Sequence, residues 1–319
     1  MSRILITGGA GFIGSNLAAV FVDRGEDVVV FDNFSSGLRS NLHDVQNRLE
    51  IVESSICDTS ALKAAMEGVS YVFHQAAIPS VPRSVDQPVA SHDVNSTGTL
   101  NVLMAAREAG VKRVVYAASS SAYGDSETLP KIETMPTAPK SPYAADKLHS
   151  EHLCRVFFEN YGLETVALRY FNVFGPRQRP DSDYAAAIPK FIVRLLANES
   201  PTVFGDGLQS RDFTYIDNVV HANLLAMTAE RAAGEVLNVG VGEQINLNEL
   251  IQSIRELTDS DAAIEYAPER VGDVKHSLAS IDKARDLLGF EPVVGLSEGL
   301  RQTIDWYRTQ QQEVTEKKA

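Results

Sequence analysis

Two cysteines, Cys57 and Cys154, are all that this chain of 319 residues carries. That is too few for a disulfide framework and suits a reducing compartment. Long hydrophobic runs are missing too: no apolar stretch approaches the roughly 18–20 residues that a membrane span requires. The apolar part of Met1-Ser2-Arg3-Ile4-Leu5-Ile6 is too short for a signal peptide, so the cytoplasm is the expected compartment, with no membrane association. Positive charge is scarce, with 29 Lys and Arg against 42 Asp and Glu, a net charge of −13. This argues against a general nucleic-acid binder, while leaving room for an anionic ligand held by local basic residues. No internal repeat or low-complexity segment stands out, and the dispersed His74, His152, His221 and His276 read as structural, so no metal site is expected. What remains is ordinary globular composition, 44% hydrophobic and 22% charged, in a length that fits one large α/β domain or one with a smaller appendage.

The chemistry-bearing residues begin at once. Arg3 to Gly8 reads as a short apolar strand running into Thr7-Gly8-Gly9-Ala10-Gly11-Phe12-Ile13-Gly14, then a helical pattern at Ile13, Leu17, Val20 and Phe21. A second strand, Val28-Val29-Val30-Phe31, ends in Asp32, 18 residues past Gly14. Glycines at that spacing let backbone approach a pyrophosphate, whose charge rests on the N–H groups opening the helix. Asp32 can accept hydrogen bonds from a ribose 2′-OH and would repel a 2′-phosphate, so NAD is favoured over NADP.

The strand–helix rhythm continues. Leu49–Val52 precedes Asp58 and a helix through Met66; Val69–His74 leads to Gln75-Ala76-Ala77; a long helix runs from about Val89 to Ala109; Val111–Ala117 is another strand. Asp58 can bind an adenine edge or cap its helix. This succession predicts a parallel sheet with helices on both faces and a ligand outside the carboxyl ends of its strands. Ser119-Ser120-Ser121-Ala122-Tyr123-Gly124 follows such an end. Further on, Tyr143 and Lys147 lie four apart, on one face if that stretch is helical. Each feature alone reads as structure, the pair as an amphipathic face and the serines as a polar loop. Together, downstream of a dinucleotide fingerprint, they read as a proton-handling site.

With these residues in place the chain resembles the extended short-chain dehydrogenase/reductase family, specifically its nucleotide-sugar 4-epimerases. The resemblance is carried by the glycine motif, Asp32-Asn33, His74-Gln75-Ala76-Ala77, Ser119–Ser121 with Tyr123-Gly124, and Tyr143-x-x-x-Lys147. It continues through Leu168-Arg169-Tyr170-Phe171-Asn172-Val173-Phe174-Gly175-Pro176, Arg211-Asp212-Phe213 and Arg270-x-Gly272-Asp273, so it runs from about Ser2 to about Arg308. It implies a doubly wound parallel (Rossmann) sheet of seven strands with a smaller α/β lobe for the nucleotide sugar. The dinucleotide domain would span 1–175, with about 212–240 returning to it, and the lobe mainly 176–319. It places NAD against Gly8, Gly11, Phe12, Ile13, Gly14, Asp32, Asn33, Asp58, Gln75, Ala76, Ala77 and Asn95. Ser119 would share a proton with the sugar O4, Tyr143 would be the general base, and Lys147 would bind the nicotinamide ribose. The helices around 89–109 and 142–161 resemble those that pair in the family's homodimers. The physics agrees with Tyr143: a phenol of pKa about 10 needs lowering by about 3 units to work as a base near neutrality. An ammonium within about 4 Å supplies that order of energy.

The second half is read through the same resemblance. Ser120, Ser121 and Asn172 would touch the sugar nucleotide, Val203 and Phe204 would cover the uracil, and Arg211 and Arg270 would bind the diphosphate, with Asp273 beside them. The plainer alternative makes each arginine a surface salt bridge to Asp212 or Asp273. The loop Pro176–Pro180, with Arg177 and Arg179, reads as flexible and near the entrance. Related dehydratases and decarboxylases carry an acid just after the catalytic Ser/Thr; here Ser120 and Ser121 stand there, which implies simple epimerisation. Hydride leaves C4 for NAD, the 4-keto sugar turns, and the hydride returns to the opposite face. Ser277 aligns where bulk limits the C2 substituent, so its small side chain implies UDP-GlcNAc/UDP-GalNAc as the main pair, with UDP-Glc/UDP-Gal alongside. A UDP-glucuronate 4-epimerase and a noncatalytic NAD-binding regulator are the alternatives.

Overall fold

Strands made almost wholly of Val, Ile, Leu and Phe have no polar face to give to water, so they need helices on both sides. A computed structural model, which describes residues 1–180, 187–269 and 275–316, shows that arrangement. Strands β1 (Arg3–Thr7), β2 (Asp27–Asp32), β3 (Glu50–Glu53), β4 (Tyr71–His74), β5 (Arg113–Ser119) and β6 (Glu164–Tyr170) come from the first half. After four short strands, β7 (Val173–Phe174), β8 (Thr202–Phe204), β9 (Ser210–Arg211) and β10 (Thr214–Tyr215), the chain returns as β11 (Val236–Val239). The sheet is parallel throughout, in the order β11-β6-β5-β4-β1-β2-β3. Strand order reverses between β1 and β4, and a doubly wound sheet binds ligand at that crevice.

Alternate side chains divide the core. Ile4, Ile6, Val28, Val30 and Val115 meet Leu17 and Phe21 of α1 (Phe12–Asp23). Leu5, Val29, Phe31 and Val114 meet Leu62 of α2 (Thr59–Ala65) on the other face.

The predicted helix over 89–109 is broken into parts. Ser80 caps α3 (Val81–Asp86), with Pro82 in its first turn, and Pro88 opens α4 (Pro88–His92). A π-helical turn, Asp93–Thr97, then joins α4 to α5 (Gly98–Glu108). Asp146 holds that stretch, accepting from Ser91 Oγ at 3.2 Å, His92 Nδ1 at 2.9 Å and Ser96 Oγ at 2.9 Å. Asp146 belongs to α6 (Pro142–Tyr161), which Ser141 caps and Pro142 starts. Proline favours the first turn because the N–H it lacks has no helical partner there.

In the second half of the chain α7 (Ala187–Leu196) packs on α9 (Leu247–Thr258), with the closing helix α11 (Leu296–Glu316) across both; between them in sequence come α8 (Ile216–Thr228) and α10 (Asp282–Leu288). Asn246 and Glu249 start α9 with a reciprocal capping box. The run Ala185-Ala186-Ala187-Ile188-Pro189 reads in sequence as the start of a helix through Leu196; Ala185 and Ala186 lie outside the described residues. Helix α8 packs back on α1. No helix among the described residues is long and apolar enough to cross a membrane.

Candidate active site

The turn after β1 leaves no room for side chains. Gly8 has φ +67°, and a Cβ there would stand 2.7 Å from the Ala76 backbone; one on Gly14 would stand 2.2 Å from the Gly8 carbonyl oxygen. This close fit draws the turn, the first turn of α1 and the end of β4 together. Gly11 precedes α1 with no side-chain cap, so the N–H groups of Phe12, Ile13 and Gly14, which lack helical partners, are open to an anion. Asp32, nearly buried at the end of β2, accepts from Ala10 N at 2.9 Å and Phe34 N at 2.7 Å. Asn33 Oδ1 accepts from Ser35 N at 3.0 Å. Across the crevice, Gln75 Nε2 donates to Tyr170 Oη at 3.3 Å, while its Oε1 is buried without a hydrogen bond. Backbone approach, an open helix end, an oriented acid and an orphaned acceptor converge at the switch point, so these residues fit a dinucleotide such as NAD.

A neutral histidine underlies the crevice. His74 bonds Thr7 Oγ1 through Nδ1 at 2.7 Å and Thr99 Oγ1 through Nε2 at 2.9 Å. Thr99 donates to Asn95 O at 2.6 Å, so Nε2 carries the proton and Nδ1 accepts from Thr7. Burial, with Lys147 nearby, pushes the His74 pKa down to about 3. Asn95 is buried and turned to the protein: its Oδ1 accepts from Ile78 N at 2.7 Å and its Nδ2 donates to Ser91 Oγ at 3.1 Å. It fixes the backbone that follows Ala77. Asp58 Oδ1 accepts from Ser60 N and Ala61 N, both at 3.0 Å, so the helix cap is the contact formed here.

Ser119 closes β5, where its Oγ accepts from Ser121 N at 3.2 Å and from Ser121 Oγ at 2.8 Å; Ser120 opens the 3-10 turn Ser120–Tyr123. Tyr143 and Lys147 share one face of α6, and Tyr143 N donates to Ser84 Oγ at 3.0 Å. Burial pushes the Tyr143 phenol up and the Ser119 hydroxyl pulls it down. Lys147, expected to lower it, directs its ammonium elsewhere. Lys147 donates through Nζ to Ala117 O at 2.8 Å and lies 4.9 Å from the centre of the Tyr116 ring. Burial lowers its pKa to about 8, which keeps it mostly protonated at neutral pH. A carbonyl at the strand end competes for the ammonium, and spacing along a helix does not reveal that rival.

A cavity of about 210 Å³ is lined by Asn172, Val173, Phe174, Ala187, Ile188, Arg211, Phe213 and Leu247. Asn172 and Arg211 both line it. Val203 and Phe204 are absent from the lining: Val203 is in the core and both sit on β8, paired with β13 (Glu265–Ala267). The apolar walls are Val173, Phe174, Ala187, Ile188, Phe213 and Leu247; Val173, Phe174 and Phe213 lie within the motifs above, whereas Ala187, Ile188 and Leu247 come from α7 and α9. Arg211 Nη1 donates to Ser210 O at 3.0 Å and Lys275 O at 3.1 Å.

Asp212 is no surface partner for Arg211. It is fully buried, accepting from Val241 N and Gly242 N at 3.0 Å and Ala279 N at 3.2 Å, and burial raises its pKa to about 6. Ser277 is half-buried beside this strand, its N donating to Ser210 O at 3.0 Å and its O accepting from Asp212 N at 2.8 Å. Arg270 and Asp273 lie outside the described residues. Arg177, expected in a flexible loop, is clasped to α1 through Nη1 and Ser15 O at 2.8 Å.

Known proteins share this architecture. A family model described as the NAD dependent epimerase/dehydratase family matches residues 4–240. A UDP-glucose 4-epimerase of Mycolicibacterium smegmatis is 37% identical over 314 residues, covering 97% of this chain and all (100%) of that protein. The structure of a UDP-N-acetylglucosamine 4-epimerase from Methanobrevibacter ruminantium M1 in complex with UDP-N-acetylmuramic acid superposes with a TM-score of 0.93. It has 40% identity, covering 97% of this chain and 99% of the other. A UDP-glucuronic acid 4-epimerase from Bacillus cereus, in complex with UDP-glucuronic acid and NAD, gives 0.89 at 33% identity, with 97% and 99% covered.

Proposed function

The chain belongs to the NAD dependent epimerase/dehydratase family, and from that premise we propose that it interconverts UDP-GlcNAc and UDP-GalNAc by inverting C4, with UDP-Glc and UDP-Gal as secondary substrates. Its class is UDP-sugar 4-epimerase, an isomerase working with NAD. The chemistry that NAD supplies when bound is a reversible acceptor for the C4 hydride and a positive charge beside the phenol. The chain's own residues do the rest. Gly8, Gly11 and Gly14 admit the pyrophosphate to the helix end, and Asp32 takes the adenosine ribose. Tyr143 removes the proton from the sugar O4, Ser119 relays or positions it, and Lys147 turns from Ala117 O to the nicotinamide ribose. Ser120 and Ser121 touch the sugar, while Asn172 and Arg211, with Arg270, hold the nucleotide. The dinucleotide part spans 1–175 with about 212–240, and the sugar-nucleotide lobe mainly 176–319.

The observation that carries the reading is the Ser119 hydroxyl facing the Tyr143 phenol, with the Lys147 ammonium on Ala117 O two residues before Ser119 and no carboxyl acid at Ser120 or Ser121 to eliminate water. For the sugar, support comes from the small side chain of Ser277 and from the 40% identical N-acetylglucosamine epimerase. Exposed Leu100 and Met104 on α5 and Val156 on α6 support a homodimer formed through those helices. Incubating the protein separately with UDP-GlcNAc, UDP-Glc and UDP-GlcA and following proton NMR tests the reading. New anomeric signals first from UDP-GlcNAc support it; turnover of UDP-GlcA alone overturns the sugar, and no turnover at all overturns the activity.

A further inference from the structure

The Ser119 turn is tied to the second lobe through two buried side chains. Tyr123, at the end of that turn, is 1% exposed, with the Arg169 guanidinium 4.6 Å over its ring and its hydroxyl donating to Asn238 Oδ1 at 2.7 Å. Arg169 is itself fixed by a buried two-point bond to Glu151 of α6, at 2.8 and 2.6 Å. Asn238 is fully buried on β11 and directs its remaining donors to two segments: Nδ2 to Lys131 O at 2.9 Å and Ser280 O at 3.2 Å, backbone N to Glu133 Oε1 at 2.8 Å. Lys131 and Ser280 are joined in turn, because Lys131 N donates to Leu278 O at 2.7 Å and Ser280 N to Lys131 O at 2.9 Å. The strap Ser277–Ser280 is bonded on its other side to Asp212, next to Arg211 of the cavity.

We infer that Tyr123 and Asn238 are positioning residues for the epimerisation: they lock the turn carrying Ser119 to the strap beside the nucleotide cavity. A sugar held from the second lobe then meets Ser119 in one register. The inference rests on the proposed role of Ser119. A reacting group displaced by about 1 Å can lose on the order of a hundredfold in rate, and removing one hydroxyl from a buried link shifts the turn by less.

The test is a double-mutant cycle on the NAD-loaded enzyme with UDP-GlcNAc and UDP-Glc as substrates. Tyr123→Phe should lower kcat about tenfold with KM little changed in the parent, but less than about twofold in Ser119→Ala, because its effect runs through Ser119. Equal losses in both backgrounds indicate structure alone and overturn the inference, as does full activity of Tyr123→Phe while Ser119→Ala is impaired. Full activity of Ser119→Ala removes the proposed role of that residue and this inference with it. Asn238→Ser repeats the comparison if Tyr123→Phe does not fold; failure of both to fold assigns the pair to stability and also overturns the inference.

Discussion

Replacing Lys147 with methionine should abolish activity and at the same time make the nucleotide-free protein more stable at neutral pH. Lys147 is almost completely buried, and burial brings its amine from 10.5 down to about 8. At about 1.4 kcal/mol per pH unit, the charged form is penalised by about 3 kcal/mol. Methionine removes the charge with little change in bulk but leaves Ala117 O without its donor, a loss of about 1–2 kcal/mol. The net gain is about 1–2 kcal/mol. With unfolding entropy of about 2.1 cal/mol/K per residue over 319 residues, Tm should rise by about 2 °C. Above pH 8 the folded chain releases this proton while the unfolded chain holds it to about 10.5, so the unfolded state binds more protons. Wild-type stability therefore climbs through that window relative to the variant, and the advantage of methionine disappears by its upper end. Thermal melts of both proteins, stripped of nucleotide, at pH 7 and at pH 10 read this directly. A lower Tm for Lys147→Met at pH 7, or a difference that does not change with pH, would refute the reasoning.

Other perturbations separate the parts of the site. Tyr143→Phe should leave the melt near the parent's while reducing kcat to well under a tenth; a variant keeping more than a tenth would remove Tyr143 as the base. Gly14→Ala drives a methyl to 2.2 Å from Gly8 O, so bound nucleotide per chain should fall sharply and Tm with it, which nucleotide release and a melt together measure. Ser277→Tyr should cut kcat/KM for UDP-GlcNAc by at least about tenfold and spare UDP-Glc, because the backbone bonds of Ser277 do not involve its side chain. Equal losses on both sugars would discard the size argument.

The dinucleotide half was legible in the sequence because its signals are local: glycines forced by close backbone approach, an acid closing β2, and strands that are apolar on both faces. The serine turn and the Tyr143–Lys147 spacing were legible for the same reason. Contacts made by return of the chain were hidden. Nothing near Asp212 announces that its partners are the Val241, Gly242 and Ala279 backbone, nor that Asn238 will gather Tyr123, Lys131 and Ser280. The cavity walls are divided: Asn172, Val173, Phe174, Arg211 and Phe213 lie in motifs, while Ile188 and Leu247 reach the cavity only through the fold. An apolar strand such as Thr202–Phe204 looks the same in sequence whether it faces a ligand or the core, and Val203 faces the core.

The central claim is that C4 is inverted by taking a hydride away and giving the same hydride back, with NAD retained by the protein. Turnover of UDP-GlcNAc in deuterium oxide, with no nucleotide added, followed by proton NMR, tests it most directly. The expected product is UDP-GalNAc that still carries protium at C4. Deuterium at C4, or a stoichiometric demand for NAD with NADH building up, would contradict it.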